Sequence, residues 1–254
     1  MSREVDSAST PEQLVVSVEQ ANVLLDVLGE TEAGGRVSSA ALTSGLVESG
    51  YIGVNGLRGD AKRILEPAES GSVRVALRVV SPTDAMPVRD WRIWVASPRS
   101  VIMRSAPEAV HFSQVDACEV PHVLAMAALL HEGPTIHDGP PAIPTGFVQA
   151  IRALDIQGAQ DTLNHLVTYG PAESHFARDC VAGRWSVVTC VREEKHRGKW
   201  RPRAHLECFV TEHLHALIHS PLDLQALSAL RQHPTLDAPP RTMIWAMLLG
   251  LIGA

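Results

Sequence analysis

The chain has 254 residues, of which 45% are hydrophobic and 20% are charged, and its formal net charge is −6 at pH 7. That length can bury a substantial core in one large domain or in two closely associated halves. The acidic balance argues against a nucleic-acid-binding protein, because such proteins contact phosphates with clustered Lys and Arg.

The N-terminal region is predicted to be helical after a polar leader. The first 13 residues lack the basic and apolar segments of a signal peptide, so we expect a loose leader on a cytoplasmic protein. Ser17 and Gln20 have the spacing of a capping box, and Gly29 suits the end of the helix that they open. The apolar stripe over residues 39–48 predicts a second helix.

A first unit of sheet and helix is predicted from about residue 72 to residue 131, after a short helix. Strands alternate apolar and polar side chains, whereas helices repeat every 3.6 residues. In the first strand, Arg74 and Arg78 lie on the polar face, which we expect to be wet. The predicted elements are a helix over 60–66 that Pro67 stops, strands over 72–80, 91–97 and 100–105, a loop over 81–90, an apolar piece over 109–112, and a helix over 119–131.

A second unit with the same order of elements follows residues 131–144. That stretch holds four prolines and two glycines and is the best boundary candidate, so we divide the chain into an N-terminal half, 1–140, and a C-terminal half, 141–254. The predicted elements of the second half are helices over 145–154 and 159–168, strands over 185–190 and 206–210 around a charged turn over 193–202, a histidine-rich strand, and a helix that begins at Ser220.

The repeated order of elements predicts the fold class. Each half has helices, three or four antiparallel strands and one further helix, so each has a sheet face to cover. Two such halves can join their sheets about a pseudo-two-fold axis. We therefore predict an α+β protein with a central, mostly antiparallel sheet flanked by helical bundles, in two pseudo-two-fold related halves.

Twelve histidines raise the question of a metal site. On one strand, His213 and His215 would share a face, as a pair of ligands requires. No H-E-x-x-H or C-x-x-C spacing supplies a further ligand, so we predict no metal, no cofactor and no catalytic residue. The alternatives are polar histidines on an edge strand or a small metal-dependent hydrolase. The residues concerned are His205, His213, His215 and His219, with Cys208 and Glu212 nearby; His131, His137 and Asp138 are expected in a solvated loop.

Two surface segments are candidate contacts for a protein partner. The basic run over 195–203 surrounds a tryptophan with Lys and Arg, and Trp and Arg are common anchors of protein interfaces. The loop over 81–90 is its counterpart in the first half. A nucleic-acid patch fits poorly with the net charge, and a plain soluble hairpin tip is the alternative. The candidate contact residues are Met86, Pro87, Arg89, Lys195, Arg197, Lys199, Trp200 and Arg201.

The cysteines and the C-terminal tail complete the sequence-based picture. Four cysteines form no C-x-x-C pair, so we expect reduced thiols, with Cys190 and Cys208 buried in strands. The apolar run over 243–254 falls short of the ~20 residues needed to span a bilayer. We expect a docked terminal helix or a self-association segment, so a homodimer or a self-assembling structural protein is a further alternative.

The order of elements resembles the EspG family, the cytosolic secretion-associated chaperones of actinobacterial ESX (type VII) systems. The resemblance covers about residues 14–232, and the tail after residue 240 does not fit its pattern. The segments that carry it are SVEQANVLLDVLG (17–29), LTSGLVESGYIGVNG (42–56), SVRVALRVV (72–80), WRIWVASPRSVIMR (91–104), VPHVLAMAALL (120–130), PAIPTGFVQAIRAL (141–154) and residues 184–232.

The resemblance implies both a fold and a function. EspG proteins have a central sheet flanked by helical bundles in two quasi-two-fold halves. They bind PE–PPE heterodimers in the cytosol, cover the apolar helical tip of the PPE subunit and mark the pair for one secretion system. Shielding an exposed apolar patch prevents aggregation and makes no bond, in agreement with the missing catalytic motifs. The implied partner is a PE–PPE-like heterodimer, with no nucleic acid and no membrane insertion.

Overall fold

The computed structural model describes residues 13–29, 40–130, 143–169, 175–219, 235–237 and 239–253. The helices are α1 (Val18–Val27), α2 (Ala40–Glu48), α3 (Gly59–Ser70), α4 (Val120–Ala127), α5 (Thr145–Arg152), α6 (Ile156–Tyr169), α7 (His175–Val181) and α8 (Arg241–Ile252). The strands are β1 (Gln13–Val16), β2 (Ile52–Gly53), β3 (Gly56–Leu57), β4 (Val73–Val80), β5 (Val88–Val95), β6 (Arg99–Ser105), β7 (Val110–Asp116), β8 (Trp185–His196), β9 (Lys199–Thr211), β10 (His215–His219) and β11 (Thr235–Asp237).

Nine of these strands form one sheet in the order β1-β7-β6-β5-β4-β8-β9-β10-β11, and β2 and β3 form a separate hairpin. The pairs β1–β7, β6–β7, β9–β10 and β10–β11 are antiparallel. The predicted α+β class with a large antiparallel sheet is confirmed. The leader over 1–12, the linker over 131–142 and the helix predicted from Ser220 lie outside the described residues, and the division at residue 140 stays a prediction.

The edge strand β1 was not predicted from the sequence. Gln13 pairs with Ser113 and Val16 with Val110, so four residues at the start of the described chain extend the sheet next to β7. Leu14 and Val16 are buried while Val15 is 50% exposed, the alternation of a half-buried strand. A four-residue alternation is too short to distinguish from a polar leader by pattern alone.

One compact unit comprises Met1–Arg74, Arg92–Val120 and Lys195–Trp200. The predicted capping box begins its first helix: Gln20 N–H donates to Ser17 Oγ at 3.2 Å, and Ser17 N–H donates to Gln20 Oε1 at 3.0 Å. In this unit α3 packs on β6 and β7. The largest fully buried side chains of its core are Leu24, Leu46, Ile64, Leu65, Trp94 and Phe112.

Helix α3 continues past Pro67, so the predicted stop at Glu66 is wrong. A proline in a helix lacks the N–H that would donate to the carbonyl four residues earlier, here that of Arg63. The side chain of Gln114, in β7, supplies the missing donor: its Nε2 lies 2.7 Å from Arg63 O and 3.2 Å from Ile64 O. A long-range contact therefore sustains the last turn of this helix.

The second compact unit comprises Val75–Trp91, Pro121–Glu194 and Arg201–Ala254. Its core centres on an aromatic cluster in which Phe147 meets Trp185 and Phe209 edge to face, with ring centroids 5.3 and 5.6 Å apart. The indole Nε1–H of Trp185 donates to Gln160 Oε1 at 2.7 Å, so this buried donor is satisfied. Helix α6 packs against both α5 and α7.

The apolar tail forms the docked helix α8. Ile244, Leu248, Leu251 and Ile252 are buried in it. Its C-terminal carbonyls, those of Gly250 and Leu251, accept hydrogen bonds from Arg192 Nη1 at 3.2 and 3.3 Å. A cation at this end of a helix also complements the helix dipole. No helix within the described ranges is long and apolar enough to cross a membrane.

Candidate partner-binding surface

The basic run lies on a long hairpin. β8 and β9 are joined by Arg197 and Gly198, whose φ angles are +50° and +75°. Positive φ at both central residues is the geometry of a type I′ turn, whose twist matches that of the flanking strands. The predicted charged turn over 193–202 is wrong, because β8 continues to His196 and β9 begins at Lys199. The charged side chains of these strand ends lack the apolar alternation that marks a half-buried strand.

Trp200 packs on its own chain. The guanidinium of Arg74 lies 4.7 Å from the centroid of the Trp200 ring, and Lys195 Nζ lies 5.4 Å from it. The ring also packs against the core of the first unit. Arg74 is only 4% exposed, so the wet face predicted for the strand is wrong at this position, where the tryptophan covers the arginine. This arrangement fixes the start of β9 by cation–π contact.

Three cations near Trp200, at the end of the hairpin, are exposed to solvent. Arg197, Lys199 and Arg201 are exposed and form no ion pair within the described part of the chain. Arg203 differs from them because its Nε lies 3.4 Å from a carboxylate oxygen of Glu194. The end of the hairpin thus presents uncompensated positive charge on a protein of net charge −6.

The candidate loop in the first half is shorter than predicted. β5 begins at Val88, so the loop comprises residues 81–87 and Arg89 lies in a strand. The prediction of a loop through residue 90 missed these first strand residues because Arg89 and Asp90 carry no apolar alternation. Pro87 is exposed and Met86 is half-buried.

Internal contacts hold this loop in one conformation. The backbone N–H of Ser81 donates to the carbonyl of Pro87 at 2.9 Å and closes the loop. Arg89 Nη2 lies 2.7 Å from Asp84 Oδ2, and its guanidinium lies 5.6 Å from the ring centroid of Trp91. A preformed loop loses less entropy on binding than a loop that must first become ordered.

The histidine-rich segment does not form one face. His213 lies in the turn between β9 and β10, His215 is buried in β10, and His205 is exposed in β9. The prediction that His213 and His215 share a strand face is therefore wrong. His213 instead contacts Asp179 of α7, with Nδ1 and Oδ2 2.8 Å apart. No local pattern marks this pairing, because the two residues come from segments distant in sequence.

Burial shifts the pKa of several groups that lie away from the basic end of the hairpin. It raises the pKa of Cys180 and of Cys208 to about 12, and it also raises the pKa of Cys190. These thiols stay protonated at neutral pH and act as small apolar groups, as predicted for the two in strands. Burial likewise raises the pKa of Glu207, and nearby Arg152 opposes that shift.

The fold has a counterpart among solved structures. The chain matches the structure of the Mycobacterium tuberculosis type VII secretion system chaperone EspG5 in complex with the PE25–PPE41 dimer. The TM-score is 0.51 and the identity 9%, over 94% of this chain and 95% of that chain. The chain has an EspG-like fold. The resemblance seen in the order of elements is thereby confirmed for the fold.

Comparisons of the amino-acid sequence find no relative of this chain. No protein-family model matches it, and no curated protein matches it in sequence. At 9% identity the structural match carries no residue-by-residue correspondence. The eight residues predicted as partner contacts therefore stay predictions, and their placement on the hairpin, the loop and β5 is what the structure adds.

Proposed function

We propose that the protein is a cytoplasmic chaperone that binds a PE–PPE-like helical heterodimer, shields the apolar tip of its PPE-type subunit and directs the pair to a type VII (ESX) secretion system. The observation that supports this proposal is the match, over 94% of the chain, to a chaperone solved with its PE25–PPE41 client. Covering an apolar patch keeps such a client soluble before export. The role requires neither catalysis nor a cofactor.

The contacts that we propose come from the two surface segments. Arg197 and Lys199 are exposed cations that can donate hydrogen bonds to carboxylates beside the client's apolar tip. Such charge-assisted hydrogen bonds are stronger than neutral ones. Trp200 contributes indirectly, because its ring holds Arg74 and Lys195 in place by cation–π contact. Met86, Pro87 and Arg89 contribute from the β4–β5 loop and the start of β5, and Arg201 from β9.

Co-expression tests the function. The tagged chain is produced with a PE–PPE pair encoded beside its own gene, and the purified material is analysed by size exclusion with light scattering. We expect a stable complex with one copy of each of the three chains. Failure of the chain to co-elute with any neighbouring PE–PPE pair, although each component is folded, would contradict the chaperone function.

A charge-reversal pair tests the contact surface separately. Arg197→Glu with Lys199→Glu is compared with Lys62→Glu and Arg104→Glu, which make the same charge change at exposed positions on α3 and β6. We expect the hairpin variant to lose client binding and the control to keep it. Equal binding by both variants would remove the hairpin from the interface and leave the chaperone function standing.

A further inference from the structure

A cluster of ionisable side chains joins α7 to the turn between β9 and β10. The side chain of Asp179 is only 1% exposed, and its two oxygens have different partners. Oδ1 accepts hydrogen bonds from Arg184 Nη2 at 3.0 Å and from Nε at 3.2 Å. Oδ2 lies 2.8 Å from His213 Nδ1. A buried carboxylate is thus directed at an imidazole nitrogen while its other oxygen is held in place.

Two further side chains with metal-binding atoms stand beside this pair. Glu212 is exposed, and one donor atom from each of Asp179, Glu212 and His213 lies within 4.8 Å of the others. The ring of His175 stands next to that of His213, with centroids 4.7 Å apart and planes tilted by 35°. His175 and Asp179 are four residues apart in α7 and so share a face of the helix.

The surroundings fix the orientation of these groups. Thr211 Oγ1 accepts the backbone N–H of His213 at 3.2 Å and of Leu214 at 3.0 Å, which sets the turn that carries Glu212. Arg184 occupies Oδ1 of Asp179 and leaves Oδ2 directed at the cluster. Carboxylates that bind metals are commonly held by such an outer hydrogen bond, and the supporting residues tune affinity.

We propose that Asp179, Glu212, His213 and His175 form a structural Zn²⁺ site. Two imidazoles and two carboxylates suit zinc, whereas Mg²⁺ and Ca²⁺ prefer oxygen ligands alone. Zinc ligand bonds of about 2.0–2.1 Å place neighbouring donors of a tetrahedron roughly 3.3 Å apart. The Asp179–His213 pair is already near that spacing. Glu212 and His175 are exposed and would turn toward the ion on binding, His175 from outside the group of donor atoms that lie within 4.8 Å of one another.

The ion takes the place of the proton between Asp179 Oδ2 and His213 Nδ1, and His213 then carries its proton on Nε2. Four protein ligands leave no open position, which is typical of a structural site rather than a catalytic one. The ion links α7 to the β9–β10 turn. This inference does not depend on the proposed chaperone function. It differs from the prediction of no metal made from the sequence, because the ligands come from segments distant in the chain and no local motif marks them.

Titration of the metal-free full-length protein with Zn²⁺ tests the site, by calorimetry and by thermal unfolding, with Mg²⁺ as the comparison ion. We expect saturable binding of one Zn²⁺ per chain, a raised Tm, and no effect of Mg²⁺. Glu212→Gln and His175→Ala should each weaken Zn²⁺ binding by about 10-fold or more. Both residues are exposed, so circular dichroism should show both variants folded.

The matched controls are Glu119→Gln and His122→Ala, which remove the same exposed groups elsewhere and should leave binding unchanged. Binding that neither site variant weakens, or the absence of saturable binding to the unaltered protein, would overturn the site. Loss of binding in the Glu212 variant alone would keep a three-ligand site and remove His175 from it.

Discussion

Glu207 is a carboxyl group that β9 places out of water, with 6% of the residue exposed. Its Oε2 is buried and has no hydrogen-bond partner in the described part of the chain. Burial raises its pKa, and the charge of Arg152 only partly counters that shift. A raised pKa in the folded state means that stability is greatest below the unfolded-state pKa and declines as the pH rises through the folded-state pKa.

Glu207→Gln should therefore stabilise the protein at neutral pH, because the neutral amide keeps the shape without the buried charge. We expect a gain of about 1 kcal/mol in the free energy of unfolding at pH 7. The gain should disappear near pH 4, where Glu207 is protonated in both states. Urea unfolding at the two pH values measures it, with Glu119→Gln as the exposed control. A gain that is the same at both pH values would contradict the assigned cause.

Helix α3 is an element whose length depends on a residue outside it. Gln114→Met removes the donor that satisfies the Arg63 carbonyl, and we expect a loss of about 1–3 kcal/mol in the free energy of unfolding. Pro67→Ala restores the backbone N–H at that turn, so in this background the Gln114→Met substitution should cost less. A double-mutant cycle by urea unfolding gives the coupling energy. Additive effects would show that Gln114 does not compensate for Pro67.

Helix α8 has an inner and an outer face that can be tested separately. Leu248 is 2% exposed and Met247 is 39% exposed. Leu248→Ala should cost about 2–5 kcal/mol through lost burial and cavity formation. Met247→Ala should change stability by less than about 0.5 kcal/mol. If Met247→Ala instead alters the elution volume on size exclusion, the outer face of α8 mediates self-association.

The elements that could be predicted are those whose signals are local. The capping box of Ser17 and Gln20 lies within four residues, and it begins α1 as predicted. The continuation of α3 past Pro67 depends on Gln114, which no window around the helix contains. The hairpin of β8 and β9 was shortened in the prediction because its distal residues are charged on both faces.

For the whole molecule, the fold class could be predicted because neighbouring strands in the sequence are mostly neighbours in the sheet. β4 to β7 adjoin in reverse order and β8 to β11 in direct order, so pairing consecutive strands gives most of the topology. Side-chain constellations were not predictable in this way. The stacking of Arg74 on Trp200 and the pairing of Asp179 with His213 require the folded chain.

The charge distribution of the whole chain makes the proposed partner contact testable by salt. The net charge is −6, yet the hairpin end presents the exposed cations Arg197 and Lys199. An acidic client that docks there is attracted locally, and salt screens that attraction, since the Debye length is about 10 Å at 0.1 M and about 3 Å at 1 M.

We expect the association rate of the client to fall by about tenfold or more between about 0.05 M and 0.5 M salt, while the dissociation rate changes less. Arg197→Ala with Lys199→Ala, which removes the two charges without reversing them, should abolish most of this dependence, because the attraction originates at those two side chains. Stopped-flow or surface plasmon resonance kinetics measure both rates. An association rate that rises with salt would show that the net negative charge dominates the encounter and that the client docks away from the hairpin end.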